Sequence, residues 1–158
     1  MFELLKKKKS IIAPVDGKTV ELSQVPDKVF AEKMVGDGLA IDTVGSIITA
    51  PSDGTLTLIF KTNHAFGMTL KDGVELMVHI GIDTVKLDGA GFERLCKQGD
   101  FVKAGTPVIK LDRDFILSKG YSLITPVLIT NMDKIKNIEP VINKDVKAGE
   151  DIIMEYYL

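Results

Sequence analysis

Between Gly73 and Gly81 the chain alternates. Val74, Leu76, Val78 and Ile80 are aliphatic, while Glu75, Met77 and His79 fall between them. A strict period of two is the signature of a strand with one face in a core and the other outside. The even positions are therefore expected inside, and Met77 and His79 outside. Short runs rich in Val, Ile, Thr, Leu or aromatics recur at Lys18–Leu22, Leu39–Thr43, Thr55–Phe60, Pro107–Leu111, Leu123–Thr130 and Asp151–Tyr157. Five Asp-Gly pairs punctuate the chain: Asp16-Gly17, Asp37-Gly38, Asp53-Gly54, Asp72-Gly73 and Asp88-Gly89. Asp-Gly is favoured in tight hairpin turns, because both central residues of a type I′ turn need positive φ. Helical signals are few: Asp112–Lys119, closed by Gly120, and a single turn at Phe92–Lys97. The pattern predicts an all-β fold, an antiparallel β-sandwich or barrel-like structure with a few short helices.

Two segments echo others. Ile12–Gly17 resembles Thr49–Gly54, and Val102–Gly105 resembles Val146–Gly149. The two spacings differ, so the chain is no solenoid. A turn-plus-strand unit used twice explains the echoes, with chance similarity of turn sequences as the alternative.

Length and charge narrow the function classes. The 158 residues fit one domain, and 45% apolar content is enough for a real core. We expect a flexible tail at 1–10 and a single domain at 11–158. Net charge is −2, and only Arg94 and Arg113 are arginines. That argues against nucleic-acid binding, which wants a basic footprint. No apolar run is long enough to span a membrane. The segment Met1–Lys9 puts its lysines after a very short apolar piece, the reverse of a secretory signal. Leu4 and Leu5 beside Lys6–Lys9 offer at most peripheral contact with anionic lipid, because so short a tail is not a stable helix alone. A single cysteine, Cys96, allows no internal disulfide and suits a reducing, cytoplasmic location.

The chemistry centres on two histidines, His64 and His79, with the Asp72-Gly73 turn between them. If Thr62–Leu70 and Val74–Ile80 pair as antiparallel strands, both imidazoles can share a sheet face, with cross-strand Cβ atoms roughly 5 Å apart. An unperturbed imidazole is mostly neutral near pH 7, and its lone pair can attack phosphorus, bind zinc or take a proton. The second ring could donate to a phosphoryl oxygen. Thr62, two residues before His64 on the same strand face, would fix the His64 tautomer through its hydroxyl. The chain has no Walker loop, dinucleotide glycine fingerprint, zinc finger or Ser-His-Asp order. A zinc hydrolase would need three protein ligands and typically a His-x-His pair; here the third ligand would have to be Asp, Glu or Cys96. The apolar residues Val29, Phe30, Met34 and Val35 read by spacing as core, or as a short helix packed on the sandwich. An exposed ring for docking is the alternative.

The segments Val25-Pro26-Asp27, Val29–Lys33, Val35–Gly38, Thr62-Asn-His-Ala-Phe66 and Val78-His-Ile-Gly-Ile-Asp-Thr-Val85 resemble the glucose-type enzyme IIA of the bacterial phosphoenolpyruvate-dependent sugar phosphotransferase system. So do Ile11–Pro14, Gly73–Leu76, Thr125-Pro126 and Asn131–Lys134, and the likeness runs from about Ile11 to the C-terminus. The resemblance implies a phosphocarrier. It would accept a phosphoryl group from phospho-HPr on His79 and pass it to a cysteine of a IIB sugar-permease domain. His64 would be the partner imidazole and Thr62 the hydroxyl that orients it. Asp27 and Asp83 would meet basic side chains of the partner. Val29, Phe30, Met34, Val35, Phe60, Met77 and Val85 would form the apolar docking ring. No cofactor is implied for transfer, although Zn2+ can bridge His64 and His79 to a partner carboxylate. The unphosphorylated form can also bind regulated enzymes or permeases, which makes a regulatory binding module the other reading. Met34 and Met77 stand where the family uses aliphatic or aromatic residues, and Gly67 and Thr69 replace polar or acidic ones.

Overall fold

A computed structural model of the chain describes residues 8–158. Most of the expected tail, and any lipid contact of Leu4 and Leu5, lies outside the described residues. The sandwich takes in Lys9 and Ser10, two residues before the expected boundary. The strands are β1 (Lys9–Ile12), β2 (Gly17–Glu21), β3 (Asp37–Thr43), β4 (Ile47–Thr49), β5 (Gly54–Ile59), β6 (Ala65–Thr69), β7 (Glu75–His79), β8 (Phe92–Arg94), β9 (Phe101–Val102), β10 (Pro107–Leu111), β11 (Thr125–Ile129), β12 (Asn137–Pro140), β13 (Asp145–Val146) and β14 (Ile152–Tyr157). Helix α1 (Lys28–Ala31) lies between β2 and β3, and α2 (Arg113–Ser118) between β10 and β11. Every strand pairing is antiparallel. The all-β expectation holds, and each predicted strand is found within a few residues of its expected ends.

One sheet has eight strands in the order β13-β2-β3-β11-β7-β6-β5-β9. Two smaller sheets, β1-β14-β12 and β4-β10-β8, have three each. The main core lies between the large sheet and the small ones. Leu39, Ile41, Phe66, Leu76, Val78 and Val127 of the large sheet meet Ile11, Ile48, Ile109, Ile153 and Tyr156. Each such side chain contributes roughly 1.5–3 kcal/mol on removal from water. The intervening residues Ala40 and Leu128 point to the other face. There they join a second small core with Leu22, Val25, Phe30 and Ile82. Strand β11 is consequently buried on both faces.

Two expectations are corrected. Phe92–Lys97 is not a helical turn. Phe92–Arg94 is strand β8, paired with β10 through Phe92↔Leu111 and Arg94↔Ile109. The charged residues of that segment mimic a helical face, but burial of Phe92 against the core selects the extended form. The Asp-Gly pairs are not uniformly hairpin turns. Asp37-Gly38 lies inside β3, where a Cβ on residue 38 would sit 2.2 Å from the Val127 carbonyl oxygen. Glycine serves close strand approach there. Asp16-Gly17 and Asp53-Gly54 open strands β2 and β5, and only Asp88-Gly89 has positive φ at both residues. Asp72-Gly73 does join β6 to β7, with Thr69 opposite Glu75.

The echoed segments are a real structural repeat. Asp16 Oδ1 accepts from the Ala148 N–H, and Asp53 Oδ1 from the Ala104 N–H, both at 2.8 Å. Gly149 N–H donates to the Ala13 carbonyl at 3.0 Å, and Gly105 N–H to the Ala50 carbonyl at 2.8 Å. Read from its edges, the large sheet runs β13-β2-β3-β11 and β9-β5-β6-β7, two equivalent sets that meet at the β11–β7 pair.

Candidate functional site

His79 ends β7 on the outer face of the large sheet, beside the small second core. The alternation of Val74–Ile80 holds: Val74, Leu76, Val78 and Ile80 are buried, while Met77 and His79 reach the outer face. Ala65 lies directly opposite His79. Strict alternation would send His64, one residue earlier, to the core face with Phe66. Yet the rings of His64 and His79 meet, with centroids 5.1 Å apart and planes at 83°. The cause is local. Strand β6 begins only at Ala65, and the turn before it places Asn63 in the left-handed region, with φ 61°. His64 is thus freed from the sheet's alternation. The expected meeting of imidazoles occurs, but through a turn and not through a shared strand face.

Hydrogen bonds hold each ring. His79 Nδ1–H donates to the Gly81 carbonyl at 2.8 Å. A carbonyl only accepts, so in the neutral ring the proton is on Nδ1 and the lone pair on Nε2. The carbonyl is placed by a sharp bend. Gly81 has φ 79°, where a Cβ would come within 2.6 Å of the Ser122 oxygen, and the Thr84 hydroxyl donates to the Ile80 carbonyl at 2.6 Å. Nothing in a period-two reading singles out Gly81, although a glycine two residues after a histidine is the visible trace of this bend. On the other side, the Thr62 hydroxyl and His64 Nδ1 share a hydrogen bond of 2.5 Å. Thr62 sits in the turn, not on a strand as the sequence suggested.

Burial sets the charge state. His64 is only 4% exposed, and burial, aided by His79, pushes its pKa down to about 4. Burial also lowers the pKa of His79, while its bond to Gly81 and the carboxylates of Asp27 and Asp83 pull the other way. Both rings are neutral near pH 7. Aromatic walls flank them: Phe30 lies 4.8 Å from His79, and Phe60 lies 5.2 Å from His64 in an edge-on arrangement.

The expected docking residues separate into two groups. Met34, Val85 and Val29 are 69%, 50% and 43% exposed, while Val35, Phe60 and Met77 are half-buried. Phe30 is 6% exposed and belongs to the second core, so it floors the site beneath its rim. Asp27 is half-buried and caps α1, accepting from the Val29 N–H at 2.9 Å. Asp83 is exposed, in a left-handed conformation with φ 59°. The strand pairing adds one residue that the sequence reading missed. Leu58 pairs with Gly67, and Gly67 with Met77, so exposed Leu58 extends the apolar rim across a glycine without a side chain.

Zinc normally takes four ligands. Among the described residues no group of three or more His, Cys, Asp or Glu side chains is placed to hold a metal. The two imidazoles amount to half a set, which does not fit a resident zinc ion.

An antiparallel β-sandwich with paired neutral imidazoles at an open apolar face is the class these features define. The chain belongs to the phosphoenolpyruvate-dependent sugar phosphotransferase system EIIA 1 family, whose model matches residues 9–135. It is 48% identical over 144 residues to the "PTS system glucose-specific EIIA component" of Haemophilus influenzae, covering 91% of this chain and 86% of that protein. It is 43% identical to the "PTS system glucose-specific EIICBA component" of Staphylococcus carnosus, covering 91% of this chain. The chain spans about a fifth (21%) of the length of that longer relative. Among solved structures, the glucose permease IIA from Mycoplasma capricolum superposes with a TM-score of 0.89 at 40% identity, covering 96% of this chain and 97% of that one. Among the described residues no helix is long and apolar enough to cross a membrane.

Proposed function

We propose that this protein is a cytoplasmic phosphohistidine carrier that takes a phosphoryl group from phospho-HPr on His79 and passes it to a cysteine of a IIB sugar-permease domain. The observation that carries the reading is the commitment of His79 Nδ1–H to Gly81, which leaves Nε2 as the ring's lone-pair nitrogen beside a second neutral imidazole.

The transfer balances without other reagents. Nε2 of His79 attacks phosphorus in line; the new N–P bond forms as the carrier's N–P bond breaks, and the electron pair returns to the carrier's imidazole. In the second step a IIB thiolate attacks phosphorus, and His79 Nε2 recovers its lone pair. Phosphoryl transfer needs positioning and charge stabilisation more than covalent machinery. The Thr62 hydroxyl donates to His64 Nδ1, which puts the His64 proton on Nε2 and lets it donate to a phosphoryl oxygen. Val29, Met34, Val35, Met77, Val85 and Phe60 dock the partners, and Asp27 and Asp83 attract their basic side chains. HPr and IIB use this face in turn, so each complex is of modest affinity and exchanges fast. The EIICBA name of the Staphylococcus relatives, in which A, B and C components share one chain, supports a IIB partner. Any zinc here is shared with a partner carboxylate, and neither transfer step depends on it.

The test is incubation with enzyme I, HPr and phosphoenolpyruvate, followed by intact mass. The native chain gains one phosphoryl group, and His79→Gln gains none. His64→Gln loads but discharges to IIB at least a hundredfold more slowly, in the range that positioned proton donors contribute. Full labelling of His79→Gln refutes the assignment.

A further inference from the structure

Arg94 ends β8 in the small sheet, yet its side chain works elsewhere. Its Nε–H donates to Asn63 Oδ1 at 2.8 Å, and its Nη2–H donates to the Phe60 carbonyl at 3.2 Å. The same carbonyl accepts from the Asn63 N–H at 2.7 Å, and the Phe60 N–H donates to the Ala65 carbonyl at 2.9 Å. One guanidinium therefore ties both ends of the turn that carries Thr62 and hands the chain to His64. Asn63 holds a left-handed backbone there, a conformation that asparagine adopts more readily than most non-glycine residues and that the clamp keeps in place.

We propose that Arg94 is a positioning residue for the phosphoryl relay, clamping the Phe60–His64 turn so that the Thr62 hydroxyl keeps His64 in one tautomer and one orientation toward His79. It acts through shape. The depressed basicity of His64 comes from its burial and from His79, so charge from Arg94 is not what sets it. A planar fork can serve a side-chain oxygen and a carbonyl at once, whereas a lysine ammonium is a single point on a flexible stem. Lysine at 94 keeps the charge and loses the clamp.

The consequence for transfer rests on the relay reading above; the effect on His64 does not. The measurement is ¹⁵N NMR of the histidine rings in Arg94→Lys and in Asn63→Gly, together with discharge of phosphorylated protein to a IIB domain. Asn63→Gly removes the acceptor and keeps the left-handed backbone accessible. In both variants His64 moves from a single Nε2–H tautomer to an average of two, while His79 nitrogens keep their shifts. Discharge falls about tenfold, as for residues that orient a ligating or reacting imidazole. The double variant is no worse than Arg94→Lys alone, because that substitution already removes the Arg94–Asn63 bond along with the one to the Phe60 carbonyl. Should Arg94→Lys fail to fold, Asn63→Gly carries the test. Native-like His64 spectra overturn the proposal. So does slowed discharge without a tautomer change, or a changed tautomer with native discharge. Phosphate loading of His79→Gln would refute the relay and leave the clamp on His64 standing.

Discussion

Strands β2 and β5 occupy equivalent places in the two halves of the sandwich, but the chain leaves them differently. After β5 it turns through residues 60–64 into β6; after β2 it takes residues 22–36 to reach β3. The short connection carries Phe60, Thr62, Asn63 and His64. The long one carries Asp27, Val29, Phe30, Met34 and Val35, and folds back over Ala40 and Leu128 as the second core. One half therefore contributes an imidazole held by a tight turn, and the other a cover with an apolar rim. The shared frame, with its matched Asp16–Ala148 and Asp53–Ala104 bonds, builds a platform and presents His79 at the end of β7. The other residues proposed for the site sit in the unequal connections, where a rigid scaffold lets loops diverge at little cost.

The long connection gives the largest expected break in that contrast. Phe30→Ala removes a buried ring from the second core and costs about 3 kcal/mol in urea unfolding. It also opens His79 to water, so the His79 pKa climbs toward its ordinary value in an NMR titration. Phe60→Ala, at the half-buried wall on the short connection, costs less and leaves His79 little changed. Equal losses from the two would show that both connections are packed alike.

The short connection should dominate the acid response. His64 titrates near 4 in the folded chain and near its ordinary 6.5 when unfolded. Between those values the unfolded state takes a proton that the folded state refuses. Stability is thus full above about pH 6.5 and falls as pH drops toward 4, by up to about 3 kcal/mol. The depressed His79 adds to the loss with the same sign. Denaturant midpoints measured across this range should flatten in His64→Gln. An unchanged slope would mean that the acid sensitivity lies outside the short connection.

Smallest is the effect on the frame itself. Asp16→Ala and Asp53→Ala each lose one backbone hydrogen bond and should each cost about 1 kcal/mol. Lys103 lies 3.5 Å from Asp53, but an exposed ion pair adds only a few tenths. Thermal melts that separate the two variants by more than roughly 1 kcal/mol would break the equivalence of the halves.

Much of this is legible in the sequence. The alternation of Val74–Ile80 named its own two faces, because the small sheets pack against one side of it. The echo of Ile12–Gly17 in Thr49–Gly54 marked the repeat, because an aspartate that caps a distant turn leaves the same local sequence in both halves. Phe92–Arg94 was misread because its partner β10 is distant in the chain, and only pairing reveals a strand whose outer residues are charged. The stretch Val29–Val35 could not be divided by spacing into floor and rim. That division depends on Ala40, Leu128 and Ile82, which arrive from three other segments of the chain.

By itself the sequence determined where the longer strands run, which two side chains are imidazoles able to act near neutral pH, and which family the chain resembles. The first two follow from periodicity and residue type, and the third from short motifs such as Thr62–Phe66 and Val78–Val85; all are properties of a few neighbours at a time. Tertiary structure alone decided that His64 turns toward His79 against the parity of its strand, that Phe30 lies beneath the site, and that Arg94 reaches the turn from another sheet. Those outcomes depend on contacts between residues far apart in the chain, and no local pattern encodes which distant surface will be there to receive a side chain.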